Sequence, residues 1–294
     1  MNFTFTDEEL AVNEAAVQAA GDNNPWMALV DGGWTDLLLE DPDHGLGYLG
    51  LVAEGLGAAG VSVPLVGSAV VFPTLFAASA DGRRVAVSDV EAGDGLAEDG
   101  RSAECLVMLG DGVATAHEEF LVQPVGALDG DGLARVEDDG PVEVRCDDAT
   151  LVAEARRAAA AVAGAEMAGA MRRVAEMTAG YVAERQQFGR PIAAFQVVAH
   201  GAARLATLAE GATWMARAAC RSADPETTHA AKGWISSSSV EAAAVAHQLH
   251  GAIGFTEEYG LQRLTKRLRT LRFAWGDDAA HHLALGRLRA TTGG

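Results

Sequence analysis

The sequence predicts a mainly helical protein with a small β-domain in its middle, and three observations carry that reading. Residues 149–186 contain no proline and centre on AAAAVAGAEMAGAM, long enough at 1.5 Å per residue for a helix of roughly 55 Å. Between about Val70 and Val144 the texture changes to short β-prone runs, RRVAVSDV, AECLVML and EFLVQPV, separated by turns such as Gly110-Asp111-Gly112. Beyond residue 149 the pattern is helical again. The order is therefore helices over 1–72, a small sheet over 73–146 and a helical bundle over 147–294.

Each element has a local reason. Thr6-Asp-Glu-Glu-Leu combines a capping hydroxyl with acids in the first turn, a helix start. In GWTDLLLEDPDHGLGYLGLVAEGLGAAG, Leu49, Val52, Ala53 and Leu56 fall at i, i+3, i+4 and i+7, which predicts an amphipathic helix. Asp147-Asp148-Ala-Thr caps the long helix, whose small side chains invite close neighbours on several sides. Further helices are expected over Phe195–Cys220, Pro225–Gly251 and Tyr259–Phe273, with a last one after Gly276. No internal repeat interrupts this order.

Charge divides the chain. Residues 1–150 hold 29 acidic against 5 basic side chains, and residues 151–294 hold 12 against 17, giving the overall −19. The acidic half repels phosphates, which argues against nucleic acid and places any anionic ligand nearer the second half. Three cysteines without a C-x-x-C pair argue for a reduced, cytoplasmic setting. MNFTFTDEEL lacks the basic and apolar regions of a signal peptide, and no apolar run is long enough to span a membrane.

Two motifs stand out in the basic half. Glu184-Arg185-Gln186-Gln187-Phe188-Gly189-Arg190-Pro191 ends the long helix: Gly189 is suited to close it, and Pro191 forbids its continuation. Arg185 offers a forked, permanent cation and Phe188 a flat apolar face. Charged helix ends are common, so the local chemistry alone fits a surface pair between Arg185 and Glu184. The second motif, Gln248-Leu249-His250-Gly251-Ala252-Ile253-Gly254, ends a helix with two glycines three apart, which allows a ligand close to the backbone. It is followed by Glu258-Tyr259-Gly260 and the basic run Lys266-Arg267-Leu268-Arg269.

In this order and at these separations the motifs resemble the C-terminal helical domain of the acyl-CoA dehydrogenases, over about residues 150–290 and more faintly over 35–75. The resemblance implies N-terminal helices, a middle β-domain and a C-terminal four-helix bundle. It also implies FAD, an acyl-CoA substrate desaturated at its α,β-bond, and an electron-transfer flavoprotein as electron acceptor. In the family one subunit wraps the flavin with β-domain strands while its neighbour lends an R-x-x-F-G motif, a following glutamine and a Q-x-x-G-G-x-G turn. The lent set here is Arg185, Phe188, Gln196, Gln248, Gly251 and Gly254, with Ala252 in place of the second glycine.

The departures are equally specific. Trp275 occupies the position of the family's usual catalytic glutamate, and an indole cannot accept a proton from carbon. The alternative base position of some relatives falls near Ala159, inside an alanine run. The family's T-E-x-x-x-G-S-D loop and W-I-T strand have no match beyond a vague echo in residues 88–94, so the β-domain is reduced. Asp277 and Asp278 are fallback bases, although both suit the cap of the last helix. His281 and His282 face different sides of a helix, and His247 with His250 lacks an accompanying carboxylate, so no metal site is expected.

The resemblance therefore implies the shortened, base-lacking subunit of a heteromeric enzyme, of the α2β2 kind seen in actinobacterial sterol catabolism. The larger subunit would carry the base and share the FAD, and the acyl group would be bulky and steroid-derived. Two alternatives stay open at this point: a homo-oligomer with Asp277 or Asp278 as base, and a structural partner that contacts no flavin.

Overall fold

The computed structural model describes residues 6–90, 95–126, 128 and 132–292. Thr6 begins helix α1 (Asp7–Ala20) with a capping box: its hydroxyl accepts from the Glu9 amide, and the Glu9 carboxylate accepts from the Thr6 amide. Helices α2 (Pro25–Asp31) and α3 (Leu37–Glu40) lead into α4 (Gly45–Ala59), which Gly60 closes at φ 68°. The expected amphipathic stripe on α4 is only part of the truth. Leu51 and Glu54, off that stripe, are also buried, because α1 and two helices of the second half of the chain pack around the helix.

Helical structure also persists further than the β-prone texture suggested. Val66–Val71 is a π-helical turn and α5 spans Phe72–Phe76, so the first strand begins only at Val85. A short apolar run such as Val70-Val71-Phe72 does not distinguish a buried helix from a strand, and here those side chains face two helical neighbours and the sheet.

Seven strands follow: β1 (Val85–Asp89), β2 (Leu96–Glu98), β3 (Cys105–Leu109), β4 (Ala114–His117), β5 (Leu121–Pro124), β6 (Ala134–Asp138) and β7 (Val144–Cys146). They form one sheet in the order β5-β6-β2-β1-β3-β4-β7, in which only β1 and β3 run parallel. One face packs Val85, Val107 and Leu109 against α5 and the start of the long helix.

That helix, α6 (Ala149–Glu184), is capped by Asp148, whose carboxylate accepts from the Thr150 and Leu151 amides. Every residue from 158 to 171 is buried, as its small side chains predict. It packs in a bundle with α7 (Gln196–Ser222), α8 (Pro225–His250) and α9 (Leu261–Phe273), and α10 (Asp278–Thr292) lies on α8.

The crossing of α4 and α6 is made at two glycines. A Cβ on Gly57 would lie 2.0 Å from the Glu166 carbonyl oxygen, and one on Gly169 would lie 1.9 Å from that of Glu54. The side chains of those same glutamates reach outward from the crossing. Glu54 binds Arg217 of α7 at 2.7 and 2.8 Å, and Glu166 binds Arg267 of α9 at 2.7 and 3.2 Å. A carboxylate buried here without its guanidinium would cost several kcal/mol, on the order of 3–5, so each pair holds its helix in place.

Candidate functional site

Helix α6 does not close at Gly189. It stops at Arg185, and a two-stranded hairpin follows, in which β8 (Gln186–Gln187) pairs with β9 (Arg190–Pro191). The two residues between, Phe188 and Gly189, have φ of 53° and 75°. Two successive left-handed residues make the turn whose twist suits a two-residue hairpin. Glycine adopts this freely; phenylalanine does so at a cost of about 1 kcal/mol.

The strained ring is also exposed. Phe188 is 90% accessible and meets the Phe195 ring edge-on, at a centroid distance of 6.0 Å. Arg190 lies 4.2 Å over the Phe195 ring, and the Arg185 carbonyl accepts from the Ile192 amide, which fixes the hairpin base. The Arg185 side chain is exposed and makes no ion pair among the described residues, not even with Glu184.

Because α6, α7 and α8 alternate in direction, the end of α6, the start of α7 and the end of α8 lie together. Gln196 is the first residue of α7 and Gln248 is in the last turn of α8, and both are exposed. Gly251 has φ 63° and open space where a Cβ would be, while Gly254 is packed 3.0 Å from the His250 Cβ. Gly251 is thus the glycine that leaves backbone accessible, and Gly254 the one that permits packing.

Three rings that sequence reasoning did not assign tie this end together. Tyr181 stacks on His250 at 4.6 Å, and Tyr259 meets both. His250 Nδ1 lies 2.8 Å from the Ala246 carbonyl and must carry its proton, so Nε2 accepts from the Tyr259 hydroxyl at 3.1 Å. Burial keeps His250 less basic than usual, consistent with this neutral form. His247 stacks on Phe255 and bonds Thr265, and no metal-binding cluster occurs among the described residues. The outcome is a forked cation, two amides, an aromatic ring and open glycine backbone, all facing away from the chain. Chemically this set suits a planar, anionic group.

The α9–α10 turn holds Trp275, which the motif resemblance aligns with the family's usual base. Trp275 and Gly276 adopt φ of 59° and 96°. Beneath them Lys232, 1% exposed, donates to the carbonyls of Leu271, Arg272 and Gly276 at 3.2, 3.3 and 3.0 Å and to Ser236 Oγ at 3.1 Å. Burial pushes the Lys232 amine down to about 8. Asp277 accepts from the Ala280 amide at 2.8 Å and is a helix cap. Asp278 is paired with Arg272 at 2.8 Å, which holds its carboxyl below the usual range. Ala159 is fully buried.

A cleft of about 960 Å³ lies between the sheet and the bundle, with Trp275 in its wall. Most of its lining is apolar, and its polar groups include Glu98, Arg157, His229 and His281. Burial and then Asp99 push the Glu98 carboxyl up to about 7, against the opposing pull of Arg267 and Lys232. Glu98 was missed in the sequence because a single acid in a short strand carries no pattern. Of the faint echo over 88–94, Ser88 is buried and Asp89 is locked to Arg156 at 2.7 and 2.8 Å; residues 91–94 lie outside the described residues.

Helices before and after a reduced sheet, with the two motifs converging at one bundle end, define the class. Residues 152–288 match the family described as "Acyl-CoA dehydrogenase, C-terminal domain". The acyl-CoA dehydrogenase IpdE2 of Mycobacterium tuberculosis is 30% identical over 227 residues, which cover 74% of this chain and 70% of that protein. The chain belongs to the acyl-CoA dehydrogenase family. Among solved structures, the ChsE4-ChsE5 complex of Mycobacterium tuberculosis superposes with a TM-score of 0.79 at 18% identity, over 99% of each chain. A steroid ACAD variant, Tcur3481-Tcur3483, gives 0.81 at 19% identity over 98% of this chain and 99% of that one. The structure titled PigA with FAD and proline gives 0.80 at 18% identity over 99% of this chain and 100% of that one. No helix among the described residues is long and apolar enough to cross a membrane.

Proposed function

We propose that the chain is the base-lacking subunit of a heteromeric, FAD-dependent acyl-CoA dehydrogenase. It lends Arg185, Phe188, Gln196, Gln248, Gly251 and Gly254 to a flavin held mainly by a larger partner subunit, in an α2β2 assembly. The observation that carries this reading is the bundle end itself: Phe188 is strained and 90% exposed, beside an Arg185 that has no ion pair among the described residues. A chain that used these groups internally would cover them.

Arg185 suits the flavin's phosphates, Phe188 a flat ring face, and Gln196 and Gln248 its polar edges. FAD, when bound, accepts the hydride removed from the acyl group, and an electron-transfer flavoprotein takes the electrons onward. This chain positions the cofactor; the partner subunit supplies the base. Asp277 and Asp278 have no catalytic part in this reading, since one caps α10 and the other pairs with Arg272. The likeness to a structure titled a steroid ACAD supports a bulky, steroid-derived acyl-CoA as substrate, and a cytoplasmic setting belongs to the same reading.

The test is the flavin absorbance of the chain purified alone and after co-expression with a large acyl-CoA dehydrogenase subunit. A colourless lone chain, a yellow complex, and a several-fold loss of flavin from the complex on Arg185→Ala are expected. A yellow lone chain that is bleached by an acyl-CoA would overturn the reading.

A further inference from the structure

Arg185 leaves the end of α6, whereas Gln248 and Gly251 sit at the end of α8. A single cofactor gripped from two helix ends requires those ends at a set distance, so the spacing between them is itself part of the site. Setting it before a partner arrives also lowers the ordering cost of binding.

The ring of His250 lies at the junction. It is 4% exposed, while Arg185, Gln248 and Gly251 around it are exposed. Tyr181 stacks on it at 4.6 Å with 20° between the ring planes. Tyr181 stands one helical turn before Arg185, and its carbonyl accepts from the Arg185 amide at 2.9 Å. In the other direction His250 leads straight into Gly251, whose φ of 63° turns the chain out of α8. Gly254 packs on the His250 Cβ, so the turn is built against this side chain.

Both ring nitrogens of His250 are committed. Nδ1 donates to the Ala246 carbonyl one turn back at 2.8 Å, which sets the rotation of the ring. Nε2 accepts from the Tyr259 hydroxyl at 3.1 Å, which ties the ring to the chain beyond the turn. Burial, then Tyr181 and Glu184, push the Tyr259 hydroxyl up, which keeps its proton in place for that bond. Tyr259 also meets Tyr181 edge-on at 5.9 Å, and its hydroxyl lies 3.4 Å from the Met177 carbonyl of α6. Stack, bond and edge contact close one circuit through α6, α8 and the segment ahead of α9.

We infer that His250 is a positioning residue for the lent half-site: its bond to Tyr259, clamped against Tyr181, sets the distance from Arg185 to Gln248 and Gly251 in the free chain. The inference rests on the flavin-lending reading and adds that the half-site is assembled before the partner subunit arrives. Buried as it is, His250 acts through the Gly251 backbone on one side and the α6 exit on the other.

The test is the dissociation constant of FAD from the complex co-expressed with a large acyl-CoA dehydrogenase subunit, read by flavin fluorescence as FAD is titrated back into the depleted complex. Tyr259→Phe keeps the ring and loses the hydroxyl; His250→Phe keeps the stack and loses both bonds. Each should weaken FAD about fivefold, and the two together no more than either alone, because they cut the same bond. His250→Ala should weaken it further, and His250→Gln, which returns an acceptor toward Tyr259, should recover at least part of that loss. The thermal midpoint of the lone chain should stay within about 3 °C for Tyr259→Phe and His250→Phe. Additive losses, unchanged FAD affinity in both Phe variants, no recovery by His250→Gln, or a thermal midpoint that falls in step with the loss of flavin would each overturn the positioning role. Arg185→Ala separates this from the reading beneath it: if that variant keeps its flavin, lending itself fails, whereas loss of flavin there with full affinity in the His250 and Tyr259 variants sinks the positioning role alone.

Discussion

Phe188 shows how strain locates function. A phenylalanine at φ 53° in open water costs about 1 kcal/mol and buries almost nothing in return. Phe188→Gly should therefore leave the isolated chain as stable as before or up to about 1 kcal/mol more so, measured by urea unfolding. The same change should strip flavin from the co-expressed complex several-fold. Equal loss of stability and flavin would mean that the ring serves the fold instead. At this scale the sequence was legible where residues form a contiguous pattern, as in Arg185 to Gly189 or Gln248 to Gly254. Glu98, Arg157 and Lys232 gave no such signal, because their chemistry comes from what packs around them: Lys232 is an ordinary helix lysine until three carbonyls of the α9 end close over it.

Among the elements, the α4–α6 crossing is the decisive contact. Each helix places a glutamate three residues before a glycine, Glu54 with Gly57 and Glu166 with Gly169, so that backbones touch while carboxylates reach α7 and α9. Gly169→Val would drive side-chain atoms into the Glu54 carbonyl and should destabilise the chain by about 3 kcal/mol or more. Gly180, also in α6 but open where a Cβ would go, provides the contrast: Gly180→Ala should stabilise by about 0.5–1 kcal/mol. Thermal unfolding of the two variants distinguishes packing from helix propensity. The helices themselves were readable from caps and prolines, which act locally: Asp148 caps α6 where the sequence placed it, and α8 starts at Pro225 as expected. The first turns near Val66 and the hairpin after Arg185 were not, since tertiary burial and two left-handed residues override local preference there.

For the whole molecule, the half-buried Glu98 and the buried His281, both in the wall of the cleft, set opposing pH responses. Glu98 titrates at about 7 when folded against 4.5 for the free side chain, so stability falls as pH rises from about 4.5 to about 7. His281, pushed by burial and then by Lys232 to about 4 from 6.5, works the other way, and stability falls as pH drops from about 6.5 to about 4. Each is worth about 3 kcal/mol with opposite sign, so between pH 4.5 and 6.5 these two largely cancel. His229, His247 and His250 are also held below their ordinary basicity, so the urea midpoints of the parent chain should rise with pH across this range, those of Glu98→Gln more steeply and those of His281→Gln less steeply. Parallel profiles in all three would show that neither group titrates as its burial requires. The net charge has a consequence of another kind. The face that carries Phe188, Val197 and Phe255, at 90, 79 and 66% exposure, is adhesive, and two copies of an adhesive surface would ordinarily find one another. A chain of net charge −19 repels its own kind at long range. Negative charge here acts as a filter on company: it discourages pairing of like with like.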